Sequence, residues 1–135
     1  MARPLVGMVE DNPDDVAAFR RGFGKVADLR IWESGEALLA SILEESTLLA
    51  DLDLIFLDLG LPGIDGVHVA HTIRSAPGGN ELPIVVLSGS QAESDIVRAL
   101  EADVTEYEVK PNSLRDLKLV VARAMALIDT SPASV

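Results

Sequence analysis

Short apolar runs alternate along this chain with longer stretches in which apolar residues recur every three or four positions. The most compact run, Leu54-Ile55-Phe56-Leu57, ends abruptly at Asp58 and is followed by Gly60, Pro62, Gly63 and Gly66. Four consecutive apolar residues predict a strand buried on both faces, and the Pro/Gly cluster predicts a tight loop at its carboxyl end. Leu5 to Val9 and Ile84 to Leu87 have the same character. Leu29 to Trp32 is short and polar-flanked, which suits a strand at or near a sheet edge. Thr105-Glu106-Tyr107-Glu108-Val109 alternates, as a half-exposed edge strand does.

Between these runs the period is helical. Asn12 caps a first helix with Pro13 at its first position, running to about Val26 and burying Val16, Ala17, Phe19, Phe23 and Val26. Ser34 caps a second, from Glu36 to about Thr47, with Ala37, Leu38, Ile42 and Leu43 as its buried side. A third runs from about Val67 to Ser75 and is broken by Pro77-Gly78-Gly79-Asn80. Ser90 and Glu93 have the spacing of a capping box for a fourth helix reaching about Ala102. Asn112 or Ser113 caps the last, which continues through Ile128. Leu117 and Leu119 on it are not both assignable to the core from spacing alone.

Five strands separated by five helices predict an α/β fold, a doubly wound parallel sheet with helices on both faces, because each right-handed parallel crossover needs a helix. The expected strand order is the flavodoxin-like 2-1-3-4-5. That order brings the carboxyl ends of strands one, three, four and five to one rim, where Glu10, Asp11, Asp58, Ser88 and Lys110 converge. Residues 1–135 are expected to form one domain, with a core over about residues 4–129 and a loose polar tail at 130–135.

Composition removes several function classes. The chain has no cysteine, which excludes disulfides, thiolate metal sites and cysteine nucleophiles. Its two histidines, His68 and His71, lie three apart on a predicted helix without a third ligand in register and read as surface residues. A net charge of -11 opposes binding to nucleic acid. No apolar stretch reaches membrane-spanning length and no signal-peptide core follows Met1, so a cytoplasmic location is expected.

A lone aspartate after a strand usually caps a turn; its company at the rim suggests chemistry instead. Three crowded carboxylates repel one another and favour a hard divalent cation, most naturally Mg2+. That repulsion is also expected to destabilise the metal-free fold. Magnesium and Lys110 would neutralise an incoming phosphoryl group while Ser88 donates a hydrogen bond, and Asp58, being central, is the natural nucleophile.

The ordered set Glu10-Asp11, Asp58 with Pro62 and Asp65-Gly66 behind it, Ser88, and Lys110-Pro111 resembles the response-regulator receiver domains of two-component signalling over nearly the whole chain. The resemblance implies a phospho-acceptor rather than an enzyme with a separate substrate. Asp58 would accept phosphate from the phosphohistidine of a sensor histidine kinase or histidine phosphotransfer protein. Glu10, Asp11, Asp58 and the backbone carbonyl of Gly60 would hold Mg2+. Ser88 and Lys110 would contact the phosphoryl oxygens, Tyr107 would be the aromatic switch residue, and the Lys110-Pro111 bond would be cis.

Some positions depart from the commoner receiver pattern. Asp103-Val104 stands where many relatives carry Gly-Ala, and Gly89 follows Ser88 where alanine is common. Glu106 and Glu108 make the fifth strand acidic, which favours a basic partner at a face formed with the flanking helices. Gly60 and Ser90 occupy positions that bear on phosphate lifetime. With little chain after the last helix, a stand-alone receiver is expected. Two alternatives are a small aspartyl-phosphate hydrolase, which would want an acid where Gly60 stands, and a receiver-like module that binds its partner without phosphorylation.

Overall fold

In a computed structural model, which describes residues 3–60, 63–89 and 93–129, the elements follow the order β1 (Leu5–Val9), α1 (Pro13–Phe23), β2 (Asp28–Trp32), α2 (Gly35–Glu44), α3 (Leu48–Asp51), β3 (Leu54–Asp58), α4 (Gly66–Ser75), β4 (Ile84–Ser88), α5 (Glu93–Glu101), β5 (Glu106–Val109) and α6 (Leu114–Asp129). The strands form one parallel sheet in the order β2-β1-β3-β4-β5. This is the flavodoxin-like α/β arrangement expected from the alternation of periods.

The central strands are apolar without interruption because each side chain meets a helical layer. On one face Val6, Met8, Leu54, Phe56, Val85 and Leu87 pack against Phe19 and Phe23 of α1 and Leu117, Val121 and Ala124 of α6. On the other, Ile55, Leu57, Ile84 and Val86 pack against Leu38, Leu48, Val69, Ile73 and Ala99, which come from α2 through α5. Phe56 anchors the first face, its ring centroid 5.5 Å from that of Phe19 and 5.7 Å from that of Phe23. Gly22 permits close approach there, since a Cβ on it would lie 2.9 Å from the Leu117 side chain.

Two helical expectations change, those for α1 and α2. α1 stops at Phe23, because Gly24 takes a left-handed φ of 57° and donates its N–H to the Arg20 carbonyl. Val26 is therefore outside the helix and 55% exposed, Ala17 is exposed and Val16 only half-buried. α2 ends at Glu44, with the chain extended at Glu45, and the separate short helix α3 carries Leu48 and Leu49 into the core. Leu43 is left 87% exposed instead of buried. On α6 the division is clear: Leu117 is buried and Leu119 is 51% exposed. Ser113 is the cap, accepting from Asp116 N–H at 3.1 Å.

Asp103 has a φ of 61°, so the helix exit that lacks its usual glycine still adopts the conformation glycine favours. Arg74 holds that turn, donating to the carbonyls of Asp103, Gly79 and Leu82 at 2.8, 2.8 and 2.6 Å. The Ser90–Glu93 capping box, Pro62 and the tail at 130–135 lie outside the described residues. No helix among the described residues is long and apolar enough to cross a membrane.

Candidate functional site

The site is built where parallel strands run out of apolar sequence. Glu10 follows β1 and extends its ladder, donating its N–H to the Trp32 carbonyl at 3.0 Å, so the side chain stays buried at 2% exposure. Asp11 is exposed, and Asn12 turns the chain into α1 by accepting from the Asp14 and Asp15 amides at 2.8 and 3.3 Å. Asp58 is the last residue of β3, buried at 6% exposure. Its Oδ1 accepts from the Gly60 amide at 2.8 Å, a genuine Asx turn, while Oδ2 accepts from Lys110 Nζ at 2.8 Å. The turn role and the pocket role thus fall on different oxygens of one carboxylate.

Carboxylate oxygens of Glu10, Asp11 and Asp58 lie within 4.8 Å of one another. Three oxygen donors at that spacing suit a hard divalent cation, and among the described residues no histidine or cysteine joins the group. Lys110 reaches in from the end of β5, where its own amide bonds the Ser88 carbonyl at 2.8 Å. Its Nζ donates to Glu10 Oε1, Asp15 Oδ2 and Asp58 Oδ2, each at 2.8 Å. All three ammonium hydrogens are thereby used.

Burial pushes the Glu10 carboxyl up to about 7; the Lys110 hydrogen bond opposes the rise and the charge of Asp58 adds to it. For Lys110, burial works against the charge, but the hydrogen bonds to Asp15, Asp58 and Glu10 outweigh it and hold its pKa above the ordinary lysine value. Repulsion among the carboxylates is thus bridged by a cation, which weakens the expectation that the metal-free pocket is destabilised by like charges alone.

Of the residues expected at this rim, Glu10, Asp11, Asp58 and Lys110 come together directly. Ser88 ends β4 in the next register position after Leu87, the partner of Asp58, and is buried. Tyr107 is half-buried on β5, pairs in register with Val86 and packs toward the α2–α5 side. The Lys110-Pro111 bond is trans, contrary to expectation, as no peptide bond among the described residues is cis. The lysine stem reaches all three carboxylates from the strand end without a reversal of the backbone, and trans is the lower-energy form. Glu108 is partly neutralised by a two-point pair with Arg123 at 3.0 and 2.9 Å, leaving Glu106 as the exposed acid of β5. His68 and His71 are both exposed, as expected.

Asp15 was not anticipated. The available signal was the Asn12 cap: a helix starting at Pro13 returns its first turn over the rim at residue 15. Asp65, the cap of α4, also pairs with Arg98 of α5 and so links the loop after β3 to that helix.

Fold and pocket together define a receiver-type signalling module. The response regulator receiver domain family matches residues 6–122, and the chain belongs to that family. The transcriptional regulatory protein PrrA of Mycobacterium tuberculosis is 34% identical over 127 residues, covering 93% of this chain and 50% of PrrA. A probable transcriptional regulatory protein of Picosynechococcus is 43% identical over 77 residues, covering 57% of this chain and 29% of that protein. The chain therefore spans half or less of the length of these curated relatives. Among solved structures, the phosphorylated cyanobacterial phytochrome response regulator RcpA superposes with a TM-score of 0.82 at 29% identity, covering 96% of each chain. The Mn2+-bound response regulator Rcp1 gives 0.74 at 29% identity, covering 87% of this chain and 88% of that one. Receiver domains work in two-component signalling with histidine kinases.

Proposed function

We propose that this chain is a phospho-accepting receiver, in which Asp58 takes a phosphoryl group from a phosphohistidine of a sensor histidine kinase or a histidine phosphotransfer protein in the cytoplasm. The observation that carries this is the double tether of Asp58. The Gly60 amide fixes Oδ1 and Lys110 Nζ fixes Oδ2, each at 2.8 Å, at the open end of a central strand. A carboxylate so held is oriented for attack without first losing freedom of its own. A carboxylate oxygen attacks phosphorus as the P–N bond to the imidazole breaks; the nitrogen keeps the electron pair and takes a proton, and Asp58 becomes an acyl phosphate.

Glu10, Asp11, Asp58 and the Gly60 carbonyl are the residues that would hold Mg2+, which when bound supplies charge neutralisation for the phosphoryl oxygens. That RcpA has been solved phosphorylated and Rcp1 with Mn2+ bound supports a phospho-accepting, metal-binding reading of this chain. Lys110 exchanges its carboxylate partners for phosphoryl oxygens, Ser88 donates its hydroxyl to one of them, and the Tyr107 ring changes rotamer as that hydroxyl moves. Output passes through the face of α5, β5 and α6, where Val97, Leu100, Val109 and Leu119 are exposed. Incubation with acetyl phosphate and magnesium, followed by intact-mass measurement, should add a single phosphate. Asp58→Asn should abolish it; full labelling of that variant would assign the acceptor elsewhere.

A further inference from the structure

Asp15 takes no part in the scheme above, yet it holds Lys110 as closely as the two inner carboxylates do, at 2.8 Å. Its position differs from theirs. The Asp15 side chain is 38% exposed, against 8% for Asp58 and 2% for Glu10. It is also not part of the metal-spaced group of Glu10, Asp11 and Asp58. Lys110 therefore bridges an inner pair of carboxylates and an outer one. Asp15 and Lys110 also line a cleft of about 190 Å³ between α1 and the start of α6, together with Pro111 and Asn112.

An ammonium ion on a flexible stem moves toward the strongest nearby negative potential. Here it already bonds Glu10 and Asp58, the carboxylates a divalent cation needs, and without an outer anion nothing would draw it away from them. A cation seated there lowers the affinity of the site for a second cation through direct repulsion and by occupying the oxygen lone pairs. Asp15 opposes this. Its backbone is fixed in the first turn of α1 by the Asn12 cap, so the direction of its pull is set by the fold.

We propose that Asp15 is a positioning residue acting through Lys110: it holds one of the three ammonium donors at the lip of the pocket, giving the lysine an outer anchor toward which it withdraws from Glu10 and Asp58 when a divalent cation binds, and from which it meets an anion carried by Asp58. The last clause rests on the phospho-acceptor reading; the effect on metal binding does not.

The test compares wild type with Asp15→Asn, Asp15→Glu and Asp14→Asn. Asp14 supplies the control, since it lies in the same turn and its carboxylate is not among the partners of Lys110. Magnesium affinity measured by titration calorimetry should weaken about tenfold in Asp15→Asn, less than about twofold in Asp14→Asn, and recover to within about threefold of wild type in Asp15→Glu. The Lys110 ammonium 15N resonance should move or broaden by exchange in Asp15→Asn only. Equal behaviour of Asp15→Asn and Asp14→Asn in both measurements would overturn the proposal, as would wild type that binds no magnesium. Wild type that binds magnesium in an Asp15-dependent way but takes up no phosphate from acetyl phosphate would leave Asp15 its role at the metal site and overturn the phospho-acceptor reading instead.

Discussion

Glu10 gives the metal-free protein an unusual dependence on pH. Its carboxyl is raised from 4.5 to about 7 in the folded state, chiefly by burial at the end of β1. Between those two values the folded chain retains a proton that the unfolded chain has released. The stabilisation is therefore fully present below about pH 4.5 and is lost as pH rises through about 7. The full shift corresponds to about 3 kcal/mol at most, since the Lys110 hydrogen bond opposes the effect of burial on this carboxyl. Urea unfolding at pH 5, 6, 7 and 8, in chelator and at fixed ionic strength, should show stability falling across this range, where most carboxyl groups contribute little slope. Glu10→Gln retains an oxygen for Lys110 and removes the titration, so its curve should be flatter by most of that amount. Parallel curves for wild type and Glu10→Gln would refute the reasoning. The same proton must leave before Glu10 can act as a metal ligand, so magnesium affinity should rise with pH up to about 7 and then level off.

Two further outcomes can be checked by thermal and chemical unfolding. A hundredfold excess of magnesium over its dissociation constant stabilises the folded state by about 2.7 kcal/mol, a rise in Tm on the order of 10 °C for a domain of this size, and Asp11→Asn and Asp58→Asn should both shrink that response. Undiminished responses in both variants would dissolve the proposed metal site. Leu117→Ala should cost about 2–5 kcal/mol in urea unfolding because it opens a cavity in the buried cluster that contains Phe19 and Phe23, whereas exposed Leu119→Ala should stay within about 0.5 kcal/mol.

The sheet was legible because its strands carry the signature of burial on both faces, and the strand order was expected from the flavodoxin-like arrangement that doubly wound sheets commonly adopt. With the order known, the convergence of Glu10, Asp11, Asp58, Ser88 and Lys110 followed from the fact that parallel strands end at one rim. Helix ends were less legible. Leu43 keeps the helical period of α2 but falls beside its end, and Leu48 and Leu49 take the core position only after the chain turns at Glu45. Val26 is misread for the same reason, since Gly24 breaks the helix that its spacing would continue. Asp15 was missed although the Asn12 cap puts it in the first helical turn above the rim, because its partner Lys110 lies ninety-five positions away.

The lysine bridge among the carboxylates bears on how the metal-free pocket responds to substitution. Like-charge repulsion considered alone predicts that Asp58→Asn stabilises the apo protein. Lys110 changes the balance, because Asp58 Oδ2 is one of its three partners and the substitution gives up a charged hydrogen bond as well as a repelling charge. Two opposed terms of similar size should leave the metal-free Tm of Asp58→Asn within a few degrees of wild type. The clearer effect belongs to Glu10. Since the charge of Asp58 contributes to its raised pKa, neutralising that charge should move the pH-dependent loss of stability downward toward the ordinary carboxylate range. An Asp58→Asn protein whose pH profile superposes on that of wild type would mean that the two carboxylates do not share a field, and the metal-spaced cluster would lose its electrostatic basis.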